Sequence, residues 1–255
     1  MRMALRMALF DGKRRMKDPF FAGYTFFFPV LMGLLLGYLF SNTYGKTFTS
    51  YQYYGIVTVP FGILMSVVTV AYAAKDEAYK KTAVRFLLSP MTNAEIVAGK
   101  LLSCTAVIGI YSVVAATLLM LVMKVPVAGR IGEIVLFLFA ETFAACALGL
   151  LIGYGCRNFL LIKNVLNIPI ALAAIIGGSF YPIGSLNPRL SWIFKLSPMT
   201  YVNEGLFECL YEGDGTLLAW AMAGCMGVGI VCAVLAVLLF DREEYKNGEL
   251  PSYEK

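Results

Sequence analysis

The chain contains no histidine among its 255 residues. This absence excludes histidine-dependent zinc proteases, Ser-His-Asp hydrolases and histidine phosphotransfer proteins, because each needs an imidazole as ligand, base or nucleophile. Charged residues are also scarce, at 15% of the sequence, and the six cysteines include no Cys-x-x-Cys pair. Neither a cysteine metal site nor an exported disulfide framework is therefore expected.

Apolar residues, in contrast, make up 59% of the chain and form six long runs. A helix needs roughly 20 apolar residues to cross about 30 Å of hydrocarbon. Because a backbone in lipid must satisfy its own hydrogen bonds, these runs predict transmembrane helices rather than strands. The six predicted spans are Pro19–Gly45, Thr47–Ala74, Leu101–Met123, Ile134–Gly155, Asn164–Pro188 and Gly215–Phe240.

Lys and Arg are distributed unequally between the two sides of these spans. Sixteen of the 21 lie before the first span, in the second and fourth connections or in the tail, and five lie on the other side. The excess predicts a multi-pass plasma-membrane protein with both termini in the cytoplasm, and it explains the net charge of +5 without nucleic acid. Within residues 1–18, four of the six basic side chains share one side of a helical wheel, which predicts an interfacial helix with an anchoring role. They are Arg2, Arg6, Lys13 and Lys17.

The connection between spans two and three, residues 75–100, has helical features of its own. Lys80–Leu88 has helical spacing, and Ser89-Pro90 interrupts it. Thr92 and Glu95 have the spacing of a capping box, so span three should begin near Asn93, below the membrane. The segment is either a rigid lever between two spans or an ordinary solvated loop.

The connection between spans five and six, residues 180–215, is too long for a plain connector on the extracellular side. Thr200 is a candidate cap for a helix running to Glu212. Glu204, Glu208 and Glu212 are four residues apart and would form an acidic stripe. The helix could re-enter the membrane, and its stripe is either a solvated face or the rim of a vestibule that attracts cations.

Two of the polar residues inside the predicted spans are candidates for a substrate pathway. Glu141 lies near the middle of span four, where an ionised carboxylate costs about 2.5–3.5 kcal/mol on insertion scales. It either lines a pathway or makes a hydrogen bond within the bundle. Asn167, in span five, is the polar residue that best fits a substrate pathway.

Two stretches resemble the signatures of the ABC type-2 transporter permeases. The first, residues 82–102, reads TAVRFLLSPMTNAEIVAGKLL and has a Leu-Leu-Ser-Pro step followed by Gly-Lys at the start of a span. The second, residues 158–205, contains GGSFYP, then LNP, then LSPMTY. Lys81 departs from the family, which usually has glycine before the threonine. The resemblance covers nearly the whole chain.

This resemblance implies a membrane subunit that works with a separate ATPase. Members pair two membrane domains, here expected as a homodimer, with two ATPase subunits that bind ATP and Mg²⁺. The chain has no Walker A loop of its own, since its Gly45-Lys46-Thr47 has Phe40 where the first glycine should stand. By resemblance, the coupling helix that docks on the ATPase contains Lys81, Thr82, Arg85, Phe86, Leu87 and Leu88.

The expected fold is therefore all-α and integral to the membrane. It comprises an interfacial helix (1–18), a six-span permease domain (19–240) with a cytoplasmic coupling helix and extracellular re-entrant helices, and a cytoplasmic tail (241–255). The substrate pathway would lie between two copies, lined by spans one, two and five, and small residues such as Gly149 and Gly153 permit close helix packing there or within one copy. The candidate pathway residues are Asn167, Glu141, Phe180 and Tyr181.

The expected function is export of an amphipathic substrate by alternating access. A peptide is the first candidate, because an acidic outer helix suits a cationic peptide, and a drug or lipid-like molecule is the second. The chain itself would not be an enzyme and would bind no cofactor or metal. The alternatives are a stand-alone channel or carrier without ATP coupling, and a membrane sensor subunit.

Overall fold

The computed structural model describes residues 2–42, 49–79, 91–127, 130–156, 159–181 and 191–242, and every regular element within them is helical. Five helical stretches are long and apolar enough to cross a membrane, and Val165–Ile176 is a shorter apolar helix. An all-helical, membrane-spanning architecture is thus confirmed. The five stretches are Pro19–Leu39, Ser50–Asp76, Asn93–Val122, Ile131–Gly155 and Thr216–Leu239.

The α-helices are numbered along the chain, and the described residues also contain two π-helical segments. The π-helical segments are Gly23–Phe27 and Glu208–Glu212. The α-helices are α1 (Arg2–Met16), α2 (Pro19–Ala22), α3 (Phe28–Leu39), α4 (Ser50–Tyr79), α5 (Asn93–Val122), α6 (Ile131–Gly155), α7 (Phe159–Ile176), α8 (Ser191–Phe194), α9 (Pro198–Phe207) and α10 (Thr216–Leu239).

The first apolar stretch is a helix that changes its winding. Asp18 caps α2 by accepting a hydrogen bond from the Phe20 N–H, and Pro19 occupies the first turn. The π-helical segment Gly23–Phe27 follows, directly before Pro29 at the start of α3. Proline has no N–H to donate to the preceding turn, and a π-helical segment is one way for a helix to accommodate that loss.

Helix α6 occupies the centre of the bundle, where it packs against α4, α5 and α10. Its glycines allow the closest approach, since a Cβ on Gly149 would lie 2.8 Å from the Val67 carbonyl oxygen of α4. The α10 helix lies at the periphery and exposes large apolar side chains, as expected of a lipid-facing helix. These include Trp220, Val228, Ile230, Val231, Val234 and Leu238.

The long helices alternate in direction, so the bundle has two distinct ends. Helices α4 and α6 run side by side in one direction, with Val67 near Gly149 and Ala74 near Gly153. Helix α3 runs antiparallel to α4, since Gly37 packs on Tyr51. One end carries α1 and is called the α1 end. The opposite end carries α9 and is called the α9 end.

Helix α1 packs along α5 rather than lying only against the bilayer. Met7 lies near Gly99, Asp11 near Ser103 and Met16 near Tyr111, so the two helices run in the same direction. The predicted N-terminal helix is therefore present but is docked on a span. Its position follows from the contact of small residues such as Ala4, Ala8 and Gly99.

Two predicted helix starts have different outcomes. The capping box is confirmed, since Thr92 Oγ1 accepts from the Glu95 N–H at 3.2 Å and Glu95 accepts in return from the Thr92 N–H. The assignment of Thr200 as a cap is wrong. Ser197 caps α9 instead, by accepting from the Met199 N–H, whereas the Thr200 hydroxyl donates to the Phe194 carbonyl.

The helix of predicted span five ends well before the apolar run does. The run extends in sequence to Pro188, but α7 ends at Ile176. Gly178 follows with a φ of 77°, a left-handed conformation that closes the helix and that glycine adopts without strain. Residues 182–190, which include Pro182 and Pro188, lie outside the described residues.

Candidate functional site

Phe180 and Tyr181, both predicted for the substrate pathway, lie in a turn at the α9 end of the bundle. This turn, Gly177–Tyr181, is called the α7 turn. Backbone hydrogen bonds from Gly177 N to Ala173 O (2.8 Å) and from Ser179 N to Ala174 O (2.9 Å) fold it back on α7. The Phe180 ring meets the edge of Phe61 of α4, with centroids 5.2 Å apart. The turn is therefore packed into the bundle.

Side chains of α4 and α9 donate hydrogen bonds to the backbone of the α7 turn. The donors are two tyrosines of α4 and one asparagine of α9, and all three are buried. The bonds run from Tyr53 Oη to Gly178 O and to Tyr181 O (3.1 Å), from Tyr54 Oη to Phe180 O (2.7 Å), and from Asn203 Nδ2 to Gly177 O (2.7 Å). Tyr53, Tyr54 and Asn203 are called the turn donors. Because the Tyr53 hydroxyl has one hydrogen, Gly178 O and Tyr181 O share it, and the three donors together serve four carbonyls that lie outside any helix.

The two polar residues predicted for the pathway, Glu141 and Asn167, differ in their surroundings. Glu141 is 6% exposed on α6, and among the described residues no donor reaches its Oε2. Burying an ionised carboxylate at this depth costs free energy, which favours the neutral form. Asn167 is half-buried on α7, between the exposed side chains of Val165 and Ile168. The structure places Glu141 and Asn167 on different helices, and a pathway role for either stays a prediction.

The acidic residues predicted as a stripe lie on the outward side of α9 and the π-helical segment that continues it. Glu204 and Glu212 are exposed and Glu208 is half-buried, while Val202 and Leu206 face the core. Burial, and then the neighbouring Glu208 carboxylate, raise the pKa of Glu204. The three carboxylates thus form a negative surface at the α9 end.

The predicted coupling residues Lys81, Thr82, Arg85, Phe86, Leu87 and Leu88 lie outside the described residues, but both flanks of their segment are described. Helix α4 runs to Tyr79 and α5 begins at Asn93. Arg242, beyond α10, donates to Met91 O at 2.6 Å and to Asn93 Oδ1 at 2.5 Å. Residues 80–90 are therefore attached at the α1 end to two long helices.

A cluster of ionic groups, all buried except the half-buried Arg14, holds these flanking helices at the α1 end. Asp11 of α1 is 2% exposed and accepts from Arg15 Nε at 2.8 Å and Ser103 Oγ at 3.0 Å. Arg14 lies 3.0 Å from both Asp11 and Asp76 of α4. We call Asp11, Arg14, Arg15 and Asp76 the α1-end charge cluster. Buried charges persist only when they are paired, and these pairs join α1, α4 and α5.

A fully buried lysine adds a further link beside this cluster. Lys100 of α5 is 0% exposed and donates to Ala73 O at 3.2 Å and Ala74 O at 2.9 Å, while its ammonium lies 5.9 Å from the Tyr154 ring of α6. Lys75 of α4 donates to Cys156 O, just past α6. The ends of α1, α4, α5 and α6 are thus cross-linked by charged side chains.

Comparison with protein-family models identifies the family of this chain. The family described as ABC-2 type transporter matches residues 8–211, which is most of the chain. The chain belongs to the ABC-2 type transporter family. It is the membrane-spanning permease part of an ABC transporter, which is not itself an ATPase. No curated individual protein matches it significantly.

The family match covers residues at both ends of this ABC-2 permease. The match includes α1 from residue 8 onward, the segment 80–90, the α7 turn and α9. Membership implies a multi-pass plasma-membrane protein with an ATPase partner. The docked N-terminal helix is therefore part of the matched domain rather than an appendage to it.

Sequence reasoning did not identify the α1-end charge cluster or the turn donors of this permease. Charged residues flanking a span read as positive-inside anchors, and tyrosines near a span end read as interfacial residues. The one local signal was the four-residue spacing of Asp11 and Arg15 on α1, which fits a helical ion pair. Tyr53 and Gly178 are 125 residues apart, so their contact depends on the tertiary fold.

Proposed function

We propose that this ABC-2 permease is the membrane subunit of an ATP-driven exporter with six crossings and both termini in the cytoplasm. The observation that carries this proposal is the cross-linking of the α1 end. Residues 80–90, which would dock on the ATPase, emerge from α4 and lead into α5, and charged side chains tie both helices to their neighbours. A displacement of this segment would therefore move several helices together.

This mounting supports alternating access by rigid-body movement. The Arg14–Asp76 pair links α4 to α1, and Lys100 links α4 to α5. Helices fixed to each other in this way move together when one of them is pushed, which is how domain rotations are transmitted. A stand-alone channel or carrier has no need of a segment mounted on such a base.

The translocation complex would contain two copies of this chain and two ATPase subunits, which bind ATP and Mg²⁺. Apolar side chains of α3 and α7, including Leu31, Leu35, Ile168 and Leu172, are exposed in the single chain. These faces are available to a second copy, with the pathway between them. The homodimer is the arrangement that the family's organisation favours.

The favoured substrate is an amphipathic molecule, and within that class a cationic peptide. The bundle offers apolar surfaces, and the α9 end carries Glu204, Glu208 and Glu212 on its outward side. A negative surface at the exit attracts cations by long-range electrostatics. A drug or lipid-like substrate would use the same apolar surfaces without needing the carboxylates.

The coupling role of residues 80–90 is tested by replacing Arg85 and Phe86 together with alanine. Loss of a buried aromatic anchor and an arginine weakens an interface by about tenfold or more. Substrate-stimulated ATP hydrolysis by the assembled complex should fall accordingly, while the permease still inserts in membranes. The matched control is Arg6→Ala with Phe10→Ala, which removes the same two residue types from the exposed face of α1. Undiminished hydrolysis by the Arg85/Phe86 variant would contradict the coupling assignment.

A further inference from the structure

The two ends of the bundle are held together by different chemistry. At the α1 end, charged groups join the helices: the Arg14–Asp76 ion pair links α1 to α4, and the Lys100 ammonium links α5 to α4. At the α9 end, the links are neutral hydrogen bonds from tyrosine and asparagine side chains to backbone carbonyls. Charge-assisted hydrogen bonds are roughly twice as strong as neutral ones. A conformational change that strains both ends therefore separates the α9 end first.

The turn donors bind the α7 turn by hydrogen bonds from two different helices. Tyr53 and Tyr54 belong to α4, and Asn203 belongs to α9. The Tyr53 ring stacks on Phe207 of α9, with centroids 5.2 Å apart and planes 17° apart. Because the turn is bonded to both helices, any movement of α4 relative to α9 must break part of this arrangement.

Helix α4 connects the two ends directly. It is 30 residues long, with the turn donors Tyr53 and Tyr54 in its first turns and Asp76 near its last. The residues that follow it are those predicted to dock on the ATPase. A displacement imposed beyond Tyr79 therefore reaches the α7 turn along one helix.

Burial keeps this arrangement closed in the resting state. Tyr53 is 5% exposed and Tyr54 is 1% exposed, so water cannot compete for the carbonyls of the α7 turn. Once α4 shifts and water enters, each of these neutral bonds is exchanged for a bond to water at small net cost. These hydrogen bonds are thus stable while water is excluded and are easily broken once water enters, as a gate requires.

We propose that Tyr53, Tyr54 and Asn203 are positioning residues that hold the α7 turn closed over the substrate exit and release it when α4 moves. The proposal rests on the proposed exporter function and assigns the gate of its pathway. Phe180 and Tyr181 then belong to the moving turn, and their exposure to the exit depends on the state of the three donors.

The test measures access to the α7 turn in membranes that contain the permease with its ATPase. Ser179 is buried in the turn, so Ser179→Cys, in a background with the six native cysteines replaced by alanine, reports its opening to a membrane-impermeant maleimide. Labelling should be slow without nucleotide and faster during ATP hydrolysis. Adding Tyr53→Phe and Tyr54→Phe removes both hydroxyl donors and should raise labelling without nucleotide by about tenfold or more. ATP should then add little.

The matched control is Tyr51→Phe in the same reporter background. Tyr51 lies in the same turns of α4, and its hydroxyl donates to no acceptor in the described part of the chain. This variant should label like its parent. A variant that loosens the structure generally would label faster but would keep its response to ATP, so loss of that response separates gating from instability.

Failure of the gate and failure of the exporter function give different results. Equal labelling of the Tyr53/Tyr54 variant and the Tyr51 control would overturn the gate, whatever the response to nucleotide. Faster labelling of the Tyr53/Tyr54 variant that no longer responds to ATP supports the gate, whereas faster labelling that still responds to ATP shows general loosening and overturns it. If the parent protein labels at the same rate with and without ATP, the ATP-driven function falls, and faster labelling of the Tyr53/Tyr54 variant at an unchanged Tm then still shows that the turn donors hold the α7 turn closed.

Discussion

Asp11 is a buried carboxylate whose charge is paired by its neighbours. Its two carboxylate oxygens meet Arg14, Arg15 and Ser103, so it joins three donors from α1 and α5. Arg15, in turn, is 3% exposed and lies over the Phe21 ring at 5.1 Å. Removing one member of such a buried group leaves the others without a counter-charge, which is costly even where the intact group adds little net stability.

We predict that Asp11→Asn destabilises the protein and that Asp18→Asn does not. The first change removes the charge that pairs with buried Arg15 and should cost on the order of 3 kcal/mol, lowering Tm by about 5–10 °C. The second keeps a capping side chain for α2, because asparagine caps a helix as well as aspartate does. Thermal unfolding of the purified permease in detergent measures both. Equal Tm values for the two variants would contradict the role assigned to Asp11.

Local residue patterns could be predicted from the sequence, and distant contacts could not. Thr92 and Glu95 are three residues apart, so their reciprocal capping follows from the local sequence. Asp11 reaches Ser103 across 92 residues, and no local pattern specifies that partner. The Thr200 assignment failed because Ser197, three residues earlier, competes for the same role and has a proline after it.

At the scale of helices, glycine determines how closely α4 and α6 approach. A Cβ on Gly153 would lie 2.5 Å from Ala74 Cβ and 2.7 Å from the Ala71 carbonyl oxygen. Contacts under 3.0 Å require backbone movement. Small residues in membrane helices permit close packing either within one copy of a protein or between two copies. Gly149 and Gly153 pack against α4 of the same copy.

Gly153→Ala should therefore destabilise the bundle by about 1–3 kcal/mol through overpacking. The control is Gly224→Ala on α10, where an added Cβ meets no atom of the described chain within 4 Å. Relief of glycine's conformational entropy should make the control neutral or slightly stabilising. Thermal unfolding of both variants gives the comparison, and a Gly153→Ala protein as stable as wild type would show that α4 and α6 can separate freely.

The acidic stripe leads to a prediction about salt and pH. Replacing Glu204, Glu208 and Glu212 with glutamine should reduce the extent to which cationic peptides stimulate transport, and this reduction should be largest at low salt. At physiological ionic strength, exposed charges are screened over about 8 Å, so the carboxylates matter less. Because the pKa of Glu204 is raised, that carboxyl takes up a proton at a higher pH than an ordinary glutamate does, so wild-type stimulation should decline as the pH falls. The glutamine variant should lack this decline. An identical salt profile for both proteins would make the stripe an ordinary solvated face.

Predictions for whole elements were good where hydrophobic length decides the outcome. Spans two, three, four and six correspond to α4, α5, α6 and α10, because a bilayer-length apolar run has few alternatives to a helix. Span five is different: its apolar run continues to Pro188, but the helix stops at Ile176, where Gly177 and Gly178 permit a tight turn. Hydrophobicity alone does not locate such a stop.

For the whole molecule, the structure joins two regions that sequence analysis treated separately. Helix α4 links the segment predicted to meet the ATPase with the α7 turn that contains Phe180 and Tyr181. The charge cluster fixes one end of this path, and the turn donors fix the other. The family's motifs indicated that both regions matter, but the connection between them depends on tertiary contacts that a single sequence does not display.

The central claim is that this ABC-2 permease works with a separate ATPase, and co-purification tests it most directly. The chain is extracted from its native membranes in mild detergent, and the proteins that accompany it are identified and counted. The account predicts a soluble ATPase in an amount equal to that of the permease. A permease that purifies alone, with no ATPase at any salt concentration, would contradict the account and favour a stand-alone channel or carrier.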